Sequence, residues 1–184
     1  MKLWEGLEQD FNYNAMVSQR GVLNLCHTDG QRDAFARRGN AMMLEGAGAE
    51  LLDREGVRRL APYLNFNHAR FPILGGLLQR RGGTARHDAV AWGYARAADR
   101  QGVDIIQNCE VTGFLIEGGR CRGVTTSKGP IRSDRVGLAV AGHTSQMAKL
   151  AGFDLPIISY TLQACVSEPV KPMLGCTVLA PATG

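Results

Sequence analysis

Residues 75–111 read GGLLQRRGGTARHDAVAWGYARAADRQGVDIIQNCEV. Two glycine pairs and a cluster of arginines lead to His87, after which the apolar positions fall at helical spacing. Val90, Tyr94 and Ala97 or Ala98 share a face, Arg96 and Arg100 come late, and Gly102 ends the pattern. This spacing predicts a helix with favourable end charges, and VDIIQN (103–108) predicts a short apolar strand after it. The decisive oddity is a lone histidine between a flexible basic loop and a helix start.

Towards the C-terminus, residues 110–142 predict a meander of short strands. Its turns fall at Glu117-Gly118-Gly119, Lys128-Gly129-Pro130 and Ser133-Asp134. RVGLAVAG (135–142) is almost continuously apolar and predicts a strand buried on both faces. TSQMAKLAG (144–152) predicts a helix capped by Thr144 or Ser145 and closed by Gly152, and PIISYTLQACVSE (156–168) a last strand. The tail from Pro169 carries no decisive pattern. Helix, strand, meander, strand and helix over 88–152 make an α/β half-domain.

Towards the N-terminus, KLWEGLEQD (2–10) predicts the end of a helix, and 15–28 a strand or hairpin bent at Arg20-Gly21. Asp29 is expected to cap a helix running to about Glu45. AELLD (49–53) predicts a strand, and Asp53 a cap for a short helix before Pro62. FPILGGLLQ (71–79) predicts a strand interrupted by glycines. These flanks are strand-rich α+β material around the α/β segment, which implies two domains with a chain that passes back and forth.

The 184 residues are 45% hydrophobic and 21% charged, globular values, and 21 basic against 17 acidic residues leave a net charge of +4. The basic residues form no long run, so neither nucleic acid nor a membrane surface is an expected partner. Five cysteines without a C-x-x-C spacing argue against a zinc site and for a reducing, cytoplasmic setting. Cys109 is expected to act as a small core residue. His27, His68 and His143 show no mutual metal spacing, and Trp92 and Tyr94 are expected to pack. No Ser/His/Asp order suggests a hydrolase. A dinucleotide site ordinarily needs a strand–GxGxxG–helix turn, and none is written here; GAGAELL (46–52) follows a helix and lacks the last glycine.

RRGGTARHDAVAWGYARAADRQGVDIIQNCEVTGF (80–114) resembles the β-subunit family of heterotetrameric sarcosine oxidases, flavoproteins of the D-amino-acid oxidase/glycine oxidase superfamily. LWEGLEQDFNYNAMVSQRGVLNL (3–25), VGLAVAGHTSQMAKLAGFDLPI (136–157) and LQACVSE (162–168) agree in the same order. The resemblance fades after Val170, and the family subunit is about twice this length. It implies an internal stretch of such a subunit, which alone is expected neither to bind FAD well nor to turn over sarcosine. The implied fold class is α/β plus α+β: part of a Rossmann-like FAD-binding domain with a mixed-sheet substrate domain, lacking the GxGxxG unit. The implied domains are 1–14 (end of an FAD-domain helix), 15–78 (substrate domain), 79–153 (FAD domain) and 154–184 (return to the substrate domain).

The resemblance also implies chemistry. FAD accepts electrons from sarcosine, a second flavin, FMN, sits covalently on a histidine at the α-subunit interface, and O2 leaves as hydrogen peroxide. NAD and tetrahydrofolate belong to the complete complex. The tethered histidine corresponds to His87, Arg86 to a basic FMN contact, and Val111 to the position whose backbone meets the FAD adenine. Attachment at the flavin 8α carbon needs an imidazole nitrogen with a free lone pair. The positive end of the helix and Arg80, Arg81 and Arg86 are expected to favour the neutral ring, the arginines to draw the FMN phosphate, and Gly82-Gly83 to let the backbone pass close to the flavin. Gly142 and His143, between a strand and a helix start, are further candidates for cofactor proximity. No catalytic residue can be named. On the residues alone, His87 could equally be a surface or capping residue, and an FAD-only amine or amino-acid oxidase or a non-catalytic binding module remain open.

Overall fold

The structure is a computed structural model that describes residues 2–181. The described residues divide into two compact units, residues 2–103 with 169–181, and residues 104–168. In the first unit α1 (Lys2–Phe11) is followed by β1 (Val22–Cys26), α2 (Asp29–Leu44), β2 (Glu50–Asp53), α3 (Arg54–Leu60), β3 (Gly75–Gln79), α4 (His87–Arg100) and, far along the chain, β7 (Thr177–Leu179). The sheet order is β2-β3-β1-β7. The contacts of β3 with β2 and β1 are antiparallel and β7 lies parallel to β1.

Period-two alternation assigns the two faces of this sheet. Leu23, Leu25 and Leu78 join Val57 and Ala61 of α3, with Phe66 and Ile73, in one core. Leu77 points to the other face, where a Cβ at Gly39 of α2 would stand 3.1 Å from its Cδ1. Asp53 caps α3 as expected, accepting from the Gly56 N–H at 2.7 Å. The cap of α2 is Thr28, whose Oγ1 accepts from Gln31 N at 3.1 Å, and Asp29 is instead the first helical residue.

A second core joins α1 to α4. Leu7, Phe11 and Ala15 are buried against Tyr13, Val17, Val90 and Ala97. Phe11 meets Tyr94 edge-on at 4.6 Å, and the backbone of Gly93 comes so near Phe11 that a Cβ would lie 2.6 Å from its ring. Arg100 Nη2 donates to the free Phe11 carbonyl at 2.7 Å, closing α1 from the end of α4. Tyr94 touches Phe11, yet it and Trp92 both stay half exposed, less packed than their helical spacing suggests.

The second unit contains β4 (Val111–Glu117), β5 (Arg120–Thr126), β6 (Gly129–Arg132) and α5 (Thr144–Leu150), which packs on β4. The three-stranded antiparallel meander matches the sequence reading. Three expected strands are not formed. Residues 103–108 and 135–142 are extended or turn without ladder partners, and Ile105, Ile106 and Leu138 are exposed. Residues 156–168 carry Leu162 at 93% and Val166 at 97% exposure. Apolar runs become strands only where a neighbouring strand takes their N–H and C=O groups in a ladder, and no described segment forms one with them. The α5 cap also differs: Thr144 and Ser145 donate their hydroxyls to Ala141 O and Ile157 O, leaving α5 without a side-chain cap. Cys109 is half-buried outside both cores, whereas Cys26 and Cys176 are buried. Burial pushes both of those thiols up in pKa.

Leu23→Ala should cost about 3 kcal/mol by denaturant unfolding, since Leu23 is fully enclosed, and Leu51→Ala under about 1 kcal/mol, since Leu51 is half exposed. Equal losses would contradict this placement of the core.

Candidate functional site

The site is built on the connection between β3 and α4. Gly82 N donates to Gln79 O at 3.1 Å, a tight turn with Arg80 and Arg81 at its corners. The chain then runs beside residues 18–21: Gly21 N donates to Gly82 O at 2.8 Å, Ser18 N to Thr84 O at 2.8 Å and Thr84 N to Ser18 O at 3.0 Å. A Cβ at Gly83 would stand 1.9 Å from Ser18 O, so only glycine permits this approach. Gly83 therefore serves the approach of two protein backbones, while a Cβ at Gly82 would meet the Gln79 and Val22 side chains at 2.8 Å. Arg86 remains extended, and α4 begins at His87, with the first helical bond from Val90 N to Arg86 O at 3.0 Å.

The basic loop is largely neutralised by carboxylates, contrary to the expected open anion site. Arg80 Nη2 reaches Glu50 at 2.5 Å, and Arg86 donates to Asp88 through Nε at 3.1 Å and Nη2 at 2.7 Å. Arg81 grips Glu5 with Nε at 2.8 Å and with Nη2, while Gln19 Nε2 donates to Glu5 Oε1 at 3.0 Å and to Arg81 O at 2.7 Å. A guanidinium fork within reach of a carboxylate pairs with it, and Glu5 lies 76 residues from Arg81 in sequence. The hydrogen bonds from Arg81, then Gln19, hold the Glu5 carboxyl down at about 2. Asp88 is likewise lowered, by Arg86 first and then by the Ala89 N–H.

His87 is exposed in the first turn of α4, and its ring makes no hydrogen bond to any described residue. Beside the loop lies a cavity of about 300 Å³, lined by Trp4, Val17, Val22, Gly83, Thr84 and Ala85 among others. That is the lower end of the size range of small-molecule sites, roughly 300–1,000 Å³. Trp4, Val17, Glu5 and Gln19 were invisible as site residues in the sequence, because their contacts to 81–85 are long-range.

Arg86 and His87 thus stand together in the first unit. Val111, Gly142 and His143 lie in the second: Val111 is the first residue of β4, paired with Thr126, and Glu110 N beside it donates to Ser127 Oγ at 3.0 Å. Gly142 and His143 belong to a 3-10 turn (Ala141–His143) leading into α5, where Gly142 O accepts from Ser159 Oγ at 2.9 Å and His143 is exposed. GAGAELL joins α2 to β2, helix to strand, the reverse of a phosphate-binding turn.

The chain matches the FAD dependent oxidoreductase family over residues 1–182. It belongs to that family. It is 68% identical over 174 residues to the sarcosine oxidase subunit beta of Rhizobium meliloti, covering 95% of this chain and 42% of the relative. The sarcosine oxidase subunit beta of Rhodobacter capsulatus is 49% identical, over 97% of this chain and 43% of its own length. The chain therefore spans less than half the length of these curated relatives. The glycine oxidase structure from Geobacillus kaustophilus superposes with a TM-score of 0.71 at 17% identity, covering 98% of this chain and 47% of that one, which places the chain in the mixed α/β fold of the family. No helix among the described residues is long and apolar enough to cross a membrane.

Because Glu5 has its carboxyl depressed from 4.5 to about 2, the folded state binds fewer protons than the unfolded chain across that window. Its stabilising contribution is complete above pH 4.5 and disappears as the pH falls towards 2. The thermal midpoint of the native chain should fall more steeply over this range than that of Glu5→Gln; parallel curves would contradict the pairing.

Proposed function

We infer that this chain is part of the β subunit of a flavin-dependent sarcosine oxidase, a heterotetrameric enzyme in which it meets an α subunit. The observation that carries the reading is the 68% identity over 95% of the chain to a sarcosine oxidase subunit beta. Sarcosine is the substrate proposed, and NAD and tetrahydrofolate belong to the complex as a whole. When bound, FAD supplies the acceptor for the electron pair of the amine C–N oxidation, and FMN the route of those electrons to O2, which leaves as hydrogen peroxide.

The chain's own residues have distinct parts. His87 is the point of covalent FMN attachment; its ring, exposed and without a hydrogen bond to any described residue, supports this. Arg86, turned onto Asp88 in the structure, is the basic neighbour available to that flavin. Val111 contributes backbone to the FAD adenine, and the Gly142-His143 turn lies near the same cofactor. A strand–GxGxxG–helix turn for the FAD pyrophosphate is not among these residues, so this stretch contributes to the FAD site without making all of it.

In the intact complex, acid precipitation and proteolysis should leave yellow fluorescence on the peptide containing His87, and His87→Asn should abolish it. Fluorescence that washes away with the precipitation supernatant would favour an FAD-only oxidase. The 184-residue chain alone should retain no stoichiometric FAD and form no peroxide from sarcosine; recovery of both would overturn the division of the FAD site proposed here.

A further inference from the structure

Helix α1 holds the chain on both sides of His87. After the histidine, Phe11 is seated against Gly93 and Tyr94, and Arg100 closes onto the Phe11 carbonyl. Before it, Glu5 on the same helix accepts from Nε and Nη2 of Arg81, and Gln19 ties the Glu5 carboxylate to the Arg81 carbonyl at 3.0 and 2.7 Å. Between Arg81 and His87 little slack remains: Gly83 touches Ser18 and Thr84 is paired with it in both directions. Gln19 and Arg81 also line the cavity beside the loop, Glu5 does not, and none of the three hydrogen-bonds His87.

We propose that Glu5, Gln19 and Arg81 form a positioning network that sets the direction of the His87 ring for flavin attachment. The role of Arg81 is thus to clasp the loop to α1, not to hold a phosphate. The proposal rests on the functional reading above. The bond formed joins an imidazole nitrogen to the flavin 8α carbon in place of one hydrogen; the two electrons and two protons released reduce O2 to hydrogen peroxide. Such a bond depends on approach geometry, and a displacement of about 1 Å costs up to ~10²-fold in rate. The clasp itself is a surface pair whose contribution to global stability is small beside that of a core side chain, which makes the two roles separable.

The intact complex is prepared without flavin and supplied with FMN, and attachment is followed by fluorescence of the denatured protein and the mass of the His87 peptide. Glu5→Gln should slow attachment by about tenfold or more while lowering the thermal midpoint less than the loss of a core side chain does. The double variant Glu5→Arg with Arg81→Glu should recover most of the rate. Val57→Ala, in the other core of the same unit, should lower the thermal midpoint and leave the rate unchanged. Native-like attachment in Glu5→Gln, or equal slowing in Val57→Ala, would overturn the positioning role. Trypsin tests the clasp without flavin: cleavage after Arg80, Arg81 and Arg86 should accelerate in Glu5→Gln, and an unchanged rate removes the clasp. An unmodified His87 in the native complex would overturn the functional reading and, with it, the attachment role, whatever trypsin shows.

Discussion

The backbone approach of residues 82–84 to residues 18–21 is the constraint on which the candidate site depends. It is made of ordinary amide hydrogen bonds, but the space between Ser18 O and position 83 admits no side chain. Once that approach is made, the β3–α4 connection cannot drift from β1. Arg81 is delivered to Glu5, the cavity beside Trp4 acquires its wall of Gly83, Thr84 and Ala85, and α4 must begin at His87. The direction of α4 is then set by its groove for Phe11. Small residues do the structural work here because two backbones, or a backbone and a ring, must come within contact distance.

This arrangement changes the electrostatic reading of the loop. Arg80, Arg81 and Arg86 look in sequence like an anion trap, yet each guanidinium is matched to a carboxylate: Glu50, Glu5 and Asp88. Two of those acids come from distant elements, and the third neutralises its partner in the first turn of α4, where a carboxylate also suits the helix dipole. What remains at the head of the helix is an exposed imidazole whose ring makes no hydrogen bond to any described residue.

The apolar runs at 103–108, 135–142 and 156–168 follow the same logic from the other side. Their composition is that of sheet strands, but no described segment offers them a ladder, and their large side chains stand in solvent. Two serine hydroxyls, Ser145 on Ile157 O and Ser159 on Gly142 O, supply the local fastening of the last run. The meander β4–β6, by contrast, contains all of its own partners within 111–132 and forms in full.

Elements whose stabilising contacts are local were therefore legible in the order of residues: α4 with its late arginine and Gly102, the Asp53 cap, the β4–β6 turns, and the His87 position at a helix start. The family was legible too, because residues 80–114 carry a dense motif. What the tertiary structure alone decided was every feature that needs a distant partner. The unpaired course of 135–142, the parallel β7 beside β1, the burial of Cys26 and Cys176 rather than Cys109, and the pairing of Glu5 with Arg81 all belong to this class. A hydrophobic period or a charge says what a residue can do. Hydrogen bonds and ion pairs between remote segments say what it does, since they act over a few ångströms and only the folded chain brings their groups that close.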